Sequence, residues 1–339
     1  MDSSEENFKV WSKKPFDQET IQEVHKLKKE LNQSDFNDIF YKNLEFGTGG
    51  MRGVMGVGPN RINKYSLGKA TQGICNFING LEIKNPKVII GYDSRNNGKY
   101  LSKVVSDIFT ANNIKTYIFD EIKPTPIISF GVRELSCVCG IVITASHNPP
   151  DYNGYKVYWS DGGQIVPPID KKLIDSISRT NYNEINFAAN NNLKTTDCNK
   201  IEKEYLKKLN DYLKKIEIKK EKKKLKVVFT PIHGTSYKMI PLLLEDYGFE
   251  YKTVESQMIP DGNFSTVKSP NPEEAEALTH GIDLAKKYNY DLVVGTDPDS
   301  DRFGIAFKHD DKYILLNGNQ TMAIMLDYLL KKIKTNKKN

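Results

Sequence analysis

Cys137-Val138-Cys139-Gly140-Ile141-Val142-Ile143-Thr144-Ala145-Ser146-His147-Asn148-Pro149-Pro150 is the stretch on which the reading of this chain turns. Its first part, residues 137–144, is a short apolar run of strand length, of the kind buried in a sheet covered on both faces. It then breaks into a polar turn that sets a hydroxyl beside an imidazole and is closed by two successive prolines. A serine displayed at a strand end, with His147 adjacent and Lys156 ten residues on, supplies an attacking oxygen and proton-transfer groups. Taken by itself, the same segment also reads as a polar turn after a buried strand.

Outward from this stretch, similar apolar runs recur at 87–91, 116–119, 225–230 and 291–295, with amphipathic stretches between several of them, such as 99–112 and 272–288. Short β-branched runs alternating with helical periodicity specify an α/β fold, with mostly parallel sheets flanked by helices. Residues 155–159 alternate, Asp161-Gly162-Gly163 turns and 164–166 return, so a hairpin is expected and the first sheet should be mixed. Upstream, Ile21, Val24, Leu27 and Leu31 lie at helical spacing behind Asp17, a ready N-cap. Residues 180–200 turn polar and Asn-rich, which places a domain boundary near 190–203.

With 339 residues and 38% hydrophobic composition, the chain can form two domains, each with its own core. The net charge of +6 is spread over lysines mixed with glutamates and includes the lysine-rich run 219–224. Its sign suits anionic ligands. No zinc-finger spacing or aromatic RNA-binding motif accompanies the lysines, so nucleic acid is not an expected partner. Cys75, Cys137, Cys139 and Cys198 lack C-x-x-C spacing and read as reduced core thiols. The polar N-terminus and the lack of a bilayer-length apolar run make a cytoplasmic, membrane-free protein the expectation.

Four apolar runs end in polar signatures: Gly91-Tyr92-Asp93-Ser94-Arg95, residues 144–148, Thr230-Pro231-Ile232-His233-Gly234-Thr235 and residues 295–302. Ligands of open α/β sheets bind outside the carboxyl ends of the strands, so these loops are candidates for one cleft. In the last of them, Asp297-Pro298-Asp299-Ser300-Asp301-Arg302 sets carboxylates at alternate positions, where hard oxygens can converge on Mg²⁺. An EF-hand is excluded, because Arg302 and Lys308 stand where its glycine and glutamate belong. A solvated acidic turn is the competing reading. A further segment, Gly47-Thr48-Gly49-Gly50-Met51-Arg52-Gly53, offers backbone amides and a guanidinium suited to phosphate, or is a glycine-rich connection. It fits neither the dinucleotide nor the Walker pattern.

A serine nucleophile, a carboxylate cluster for Mg²⁺ and arginines for phosphate together specify phosphoryl transfer through a phosphoserine. In residues 144–149, 297–302, 91–95 and 45–53 the chain resembles the α-D-phosphohexomutases, with the 47–52 version most similar to the phosphoglucomutase and phosphopentomutase branch. The resemblance implies that Ser146 carries the phosphoryl group exchanged with a sugar phosphate. Asp297, Asp299 and Asp301 would hold Mg²⁺ with an oxygen of Ser146, and Lys156 and His147 would serve proton transfer. Arg52 and Arg302 would neutralise phosphate, with Asp93 and Arg95 in support. Lys156 can act as acid or base only if burial or neighbouring cations lower its pKa toward neutrality, which is expected of a positively charged cluster.

The implied reaction interconverts a sugar 1-phosphate and a sugar 6-phosphate, glucose phosphates first, with glucose 1,6-bisphosphate as activator and intermediate. Ribose 1-phosphate and ribose 5-phosphate are the alternative pair. The expected organisation is a helical extension over 1–44, a phosphoserine domain over 45–195, a metal-loop domain over 200–313 and the start of a third domain over 314–339. The family's G-E-x-S-G-H sugar loop and R-x-S-G-T-x-P phosphate loop do not occur in the sequence. The chain therefore also reads as an Mg²⁺-binding fragment without turnover, with Met322, Ile324, Met325 and Leu329 expected at its surface. A phosphatase using Asp297 as nucleophile is a third reading, and it leaves Ser146 and His147 without a role.

Overall fold

A computed structural model describes residues 3–216 and 225–336. The lysine-rich run 219–224 lies outside the described residues. The first sheet contains β1 (Gly50–Val54), β2 (Lys87–Tyr92), β3 (Lys115–Ile118), β4 (Cys139–Ile143), β5 (Tyr152–Trp159) and β6 (Lys194–Thr195), in the order β1-β5-β4-β2-β3-β6. The second contains β7 (Lys226–Thr230), β8 (Glu250–Thr253), β9 (Leu292–Thr296), β10 (Phe303–His309) and β11 (Lys312–Leu316), in the order β11-β10-β9-β7-β8. In each sheet one strand runs against the rest, β5 in the first and β10 in the second. The mixed, mostly parallel α/β reading holds for both.

The apolar runs are continuous because both faces of the first sheet are covered. Val88 and Ile90 of β2 and Ile141 and Ile143 of β4 point to one side, where Ile74, Val105, Ile108 and Leu173 from three helices cover them. Ile89 and Val142 point to the other, against Ile127, Ile128 and Val132 of the helix Thr125–Glu134. The helix Asn199–Lys215 adds Ile201, Tyr205 and Leu206 to that same face. In the second sheet, Val228 and Val293 pack on Leu278 and Ala285.

The opening helix forms over Gln18–Glu30, with Asp17 accepting a hydrogen bond from the Thr20 amide at 2.8 Å. It joins helices Ser3–Trp11 and Gln33–Phe40 around a cluster of Trp11, Phe16, Phe36, Phe40 and Tyr65. Two expectations change. The helix expected over 272–288 occupies only Thr279–Tyr288, because Asn271 captures the Glu273 amide with its side chain and the Glu274 amide with its carbonyl, making a turn. The hairpin after β5 returns as the Tyr158–Gln164 bridge, with bonds from the Trp159 amide to the Gly163 carbonyl at 2.8 Å and from the Ile165 amide to the Val157 carbonyl, and not as a strand of the sheet. Pro167 and Pro168 follow, and neither can donate to a ladder.

The helix Gly318–Asn336 leaves Met322, Ile324 and Met325 exposed, while Leu329 is half-buried. Among the described residues, no helix is long and apolar enough to cross a membrane.

Candidate active site between the two sheets

The loop after β4 and the loop after β9 meet. Ser146 Oγ donates to Asp297 Oδ2 at 2.7 Å, joining residues that are 151 positions apart. His147 Nδ1 lies 3.3 Å from the same hydroxyl. Lys156, on β5, reaches across with Nζ 2.5 Å from Asp299 Oδ2 and 2.7 Å from Asp301 Oδ2. Ser146, Asp297 and Asp299 are buried, whereas Asp301 and Arg302 are exposed at the mouth.

Ser146 adopts a left-handed backbone, φ 53°, that few non-glycine residues take. Its neighbours hold it there. The Ser146 amide donates to Thr144 Oγ1 at 2.8 Å, and Thr144 donates onward to Asp93 Oδ2 at 2.5 Å. Arg95 Nη2 donates to the Ser146 carbonyl at 2.7 Å and to the Asn148 carbonyl, while Nη1 binds the carbonyls of Pro149 at 2.7 Å and Tyr152 at 2.9 Å. Arg95 also lies 3.5 Å from Asp93 and over the Phe264 ring of the second unit. The sequence placed Asp93 and Arg95 among the phosphate contacts. The structure buries both beneath the loop and commits the terminal nitrogens of Arg95 to carbonyl oxygens, so they position Ser146 instead.

The 47–53 segment changes in a similar way. The Gly47 and Gly50 amides bond to each other's carbonyls in a turn, leaving Arg52 as the group that faces the loop, 3.5 Å from Asn148 Oδ1. Gly50 is required where β1 crosses β5, since a Cβ there would sit 1.8 Å from the Tyr155 carbonyl oxygen. At the fourth strand end, His233 binds the Ile259 carbonyl and Thr266 Oγ1 and is itself buried, so its imidazole is part of the scaffold. Its neighbour Thr235 braces the acidic loop through the Pro298 carbonyl and Ser300 Oγ.

Burial, and then the charges of Asp299 and Asp301, push the Asp297 pKa well up. Burial acts the same way on Asp299, yet the Lys156 ammonium and the hydrogen bonds it receives bring that group below its ordinary value. Burial alone would lower the Lys156 pKa, but Asp299 and Asp301 outweigh it and raise it. The expectation of a near-neutral lysine is thus overturned: the cluster around Lys156 is anionic, and its amine is held as a cation. His147 moves the other way, lowered by burial and by Arg302 and Arg52, so its ring is neutral at pH 7.

Asp297, Asp299 and Asp301 each bring one carboxylate oxygen within 4.8 Å of the others. Among the described residues Asp299 Oδ1 has no hydrogen-bond partner although it is buried, as suits a ligand atom for a cation. Hard oxygens in this number fit Mg²⁺. Sequence reasoning missed Thr144 and Thr125. Thr125 Oγ1 donates to Asp299 Oδ2 at 2.9 Å, and the strand-end rule would have found it, since it closes the loop after β3.

Residues 43–184 match the model of phosphoglucomutase/phosphomannomutase alpha/beta/alpha domain I, and residues 163–310 match that of domain II. The chain belongs to the phosphoglucomutase/phosphomannomutase family. Phosphoglucomutases of Staphylococcus aureus strains RF122 and USA300 are 37% identical to it, over 86% and 87% of this chain and 53% and 54% of their own length. The chain thus spans about half the length of the curated relatives it matches. A putative phosphomannomutase structure from Thermus thermophilus shares the fold at TM-score 0.72, with 21% identity over 85% of this chain and 62% of that one. The Paramecium parafusin (phosphoglucomutase) structure in its open form does so at 0.56, with 16% identity over 80% and 55%. In this phosphoglucomutase/phosphomannomutase member, Ser146 and Lys156 fall in the match to domain I and the three aspartates in the match to domain II.

Proposed function

We propose that this chain carries the phosphoryl-transfer centre of a phosphohexomutase, which interconverts glucose 1-phosphate and glucose 6-phosphate through a phosphoserine at Ser146. The observation that carries the reading is the 2.7 Å contact of Ser146 Oγ with Asp297, inside a cluster of three carboxylates. The curated relatives' name, phosphoglucomutase, supports glucose phosphates as the sugar pair. Four free, buried cysteines fit a reducing, cytoplasmic setting.

In the forward step the phosphoryl group leaves Ser146 Oγ for a sugar hydroxyl, the hydroxyl proton passes to a base, and Ser146 Oγ regains a proton. In the second step the bisphosphate returns a phosphoryl group to Ser146. Mg²⁺ held by Asp297, Asp299 and Asp301 would supply positive charge to the transferring phosphoryl oxygens. Neutral His147, 3.3 Å from Ser146 Oγ, is placed to exchange its proton. Lys156, held as an ammonium, stabilises negative charge, and Arg52 and Arg302 at the mouth bind the phosphate that enters.

Incubation with glucose 1,6-bisphosphate and Mg²⁺, followed by mass spectrometry, should locate phosphate on Ser146 and find none in Ser146→Ala. Undiminished labelling of the variant would sink the assignment. The alternative reading is a Mg²⁺-binding module without turnover. Assay of residues 1–339 for glucose 1-phosphate conversion separates the two, and ribose 1-phosphate in parallel tests the pentose alternative.

A further inference from the structure

We infer that Thr125 is a positioning residue for the metal-binding carboxylates, a deepening that rests on the Mg²⁺ reading above. Its hydroxyl fixes which oxygen of Asp299 is presented to the cation. Thr125 is the first residue of the helix Thr125–Glu134, lies between Pro124 and Pro126 and is 2% exposed. It belongs to the first unit, Asp299 to the second. Two bonds join them: Thr125 Oγ1 to Asp299 Oδ2 at 2.9 Å, and the Thr125 amide to the Asp299 carbonyl at 2.8 Å.

A carboxylate turns freely about its last bond unless one oxygen is held by donors in fixed directions. Oδ2 of Asp299 receives two, Thr125 Oγ1 and Lys156 Nζ, while Oδ1 is buried with no hydrogen-bond donor among the described residues. Lys156 is the poorer anchor, because its Nζ sits on a flexible four-carbon stem and is shared with Asp301. Thr125 is β-branched, so its hydroxyl direction is restricted, and its backbone is fixed by its place at a helix start between prolines. The positive end of that helix adds a favourable field for the Asp299 charge. The other candidate ligand in the core of the site, Asp297, has both oxygens engaged, Oδ2 by Ser146 and Oδ1 by the Arg302 amide at 3.0 Å. Asp299 Oδ1 is therefore the oxygen of this pair that presents both lone pairs to a cation, and Thr125 keeps it turned inward.

The test uses Mn²⁺ as the probe, titrated into the full 339-residue chain and followed by the electron paramagnetic resonance of the free ion. Thr125→Val keeps the shape and the backbone bond but removes the hydroxyl. It should weaken Mn²⁺ binding by about 10- to 100-fold, the usual cost of losing a partner behind a ligand. Thr125→Ser should restore near wild-type affinity. Melting in EDTA separates fold from site: a lower melting temperature of Thr125→Val with an unchanged dissociation constant overturns the positioning role, as does equal affinity of all three chains. Failure of the wild type to bind Mn²⁺, or undiminished binding by Asp299→Asn, overturns instead the metal reading beneath it.

Discussion

Ser146 occupies a backbone conformation that costs about 1–3 kcal/mol and persists only where its surroundings impose it. Arg95 and Thr144 impose it through the Ser146 carbonyl and amide. Arg95→Met would release four carbonyl oxygens and leave Asp93 buried without its cation. Equilibrium urea unfolding should show a loss of about 3–5 kcal/mol, the usual result of breaking a buried pair from one side. Arg95→Lys should recover only part, because one ammonium cannot span carbonyls that a planar guanidinium reaches together. Burial raises the Asp93 pKa from 3.8 to about 6 despite Arg95. The folded chain then binds more protons than the unfolded chain between those values, so ionising Asp93 removes stability as pH climbs from about 4 to about 6. Its share is about 3 kcal/mol over that window. Asp93→Asn should abolish this part of the slope in urea midpoints measured across it, and an unchanged slope would show that Asp93 is ionised throughout.

At the scale of elements, β5 lies between β1 and β4 and carries Lys156 to the acidic loop. It fits there because Gly154 has no side chain: a Cβ would lie 2.5 Å from the Thr144 carbonyl oxygen and 2.7 Å from that of Met51. Gly154→Ala should therefore cost about 1–3 kcal/mol by overpacking and lower the melting temperature. It should also slow phosphorylation of Ser146, since the displaced strand carries Lys156 and abuts the loop at Thr144. The strands themselves were legible in the sequence, because burial on two faces writes an unbroken apolar run such as Val88 to Ile90. The turn at Asn271 was not, because a side chain that captures a nearby amide leaves the helical periodicity of the flanking residues intact. The strand-end rule reaches Thr125, but its partner could not be read, because the contact that gives it a role lies 174 positions away.

In the molecule as a whole, the site between the two sheets is made of polar groups that only the pairing of the units brings together. The nucleophile loop and the acidic loop could each be read from residue types at strand ends, and the strand-end rule put them in one cleft. What the sequence could not reveal was the pairing of charges. The cluster that was expected to depress the Lys156 pKa surrounds that lysine with carboxylates, and the Arg95 guanidinium, expected in support of phosphate binding, is buried under the serine loop. This arrangement has a cost in the absence of a cation. Asp297 is buried beside Asp299 and Asp301, and burial with their repulsion opposes its charge. Asp297→Asn keeps an oxygen able to accept from Ser146 and loses the bond from the Arg302 amide, but it removes the larger cost of that repulsion, so it should raise the melting temperature in EDTA. The same variant should lose the response to metal. In the wild type, Mg²⁺ at a hundred times its dissociation constant should add about 2.7 kcal/mol to the unfolding free energy, because the folded chain alone assembles the three carboxylates. Paired melting curves with EDTA and with Mg²⁺ check both halves, and an Asp297→Asn chain destabilised in EDTA would show that the carboxylate serves the fold before it serves the metal.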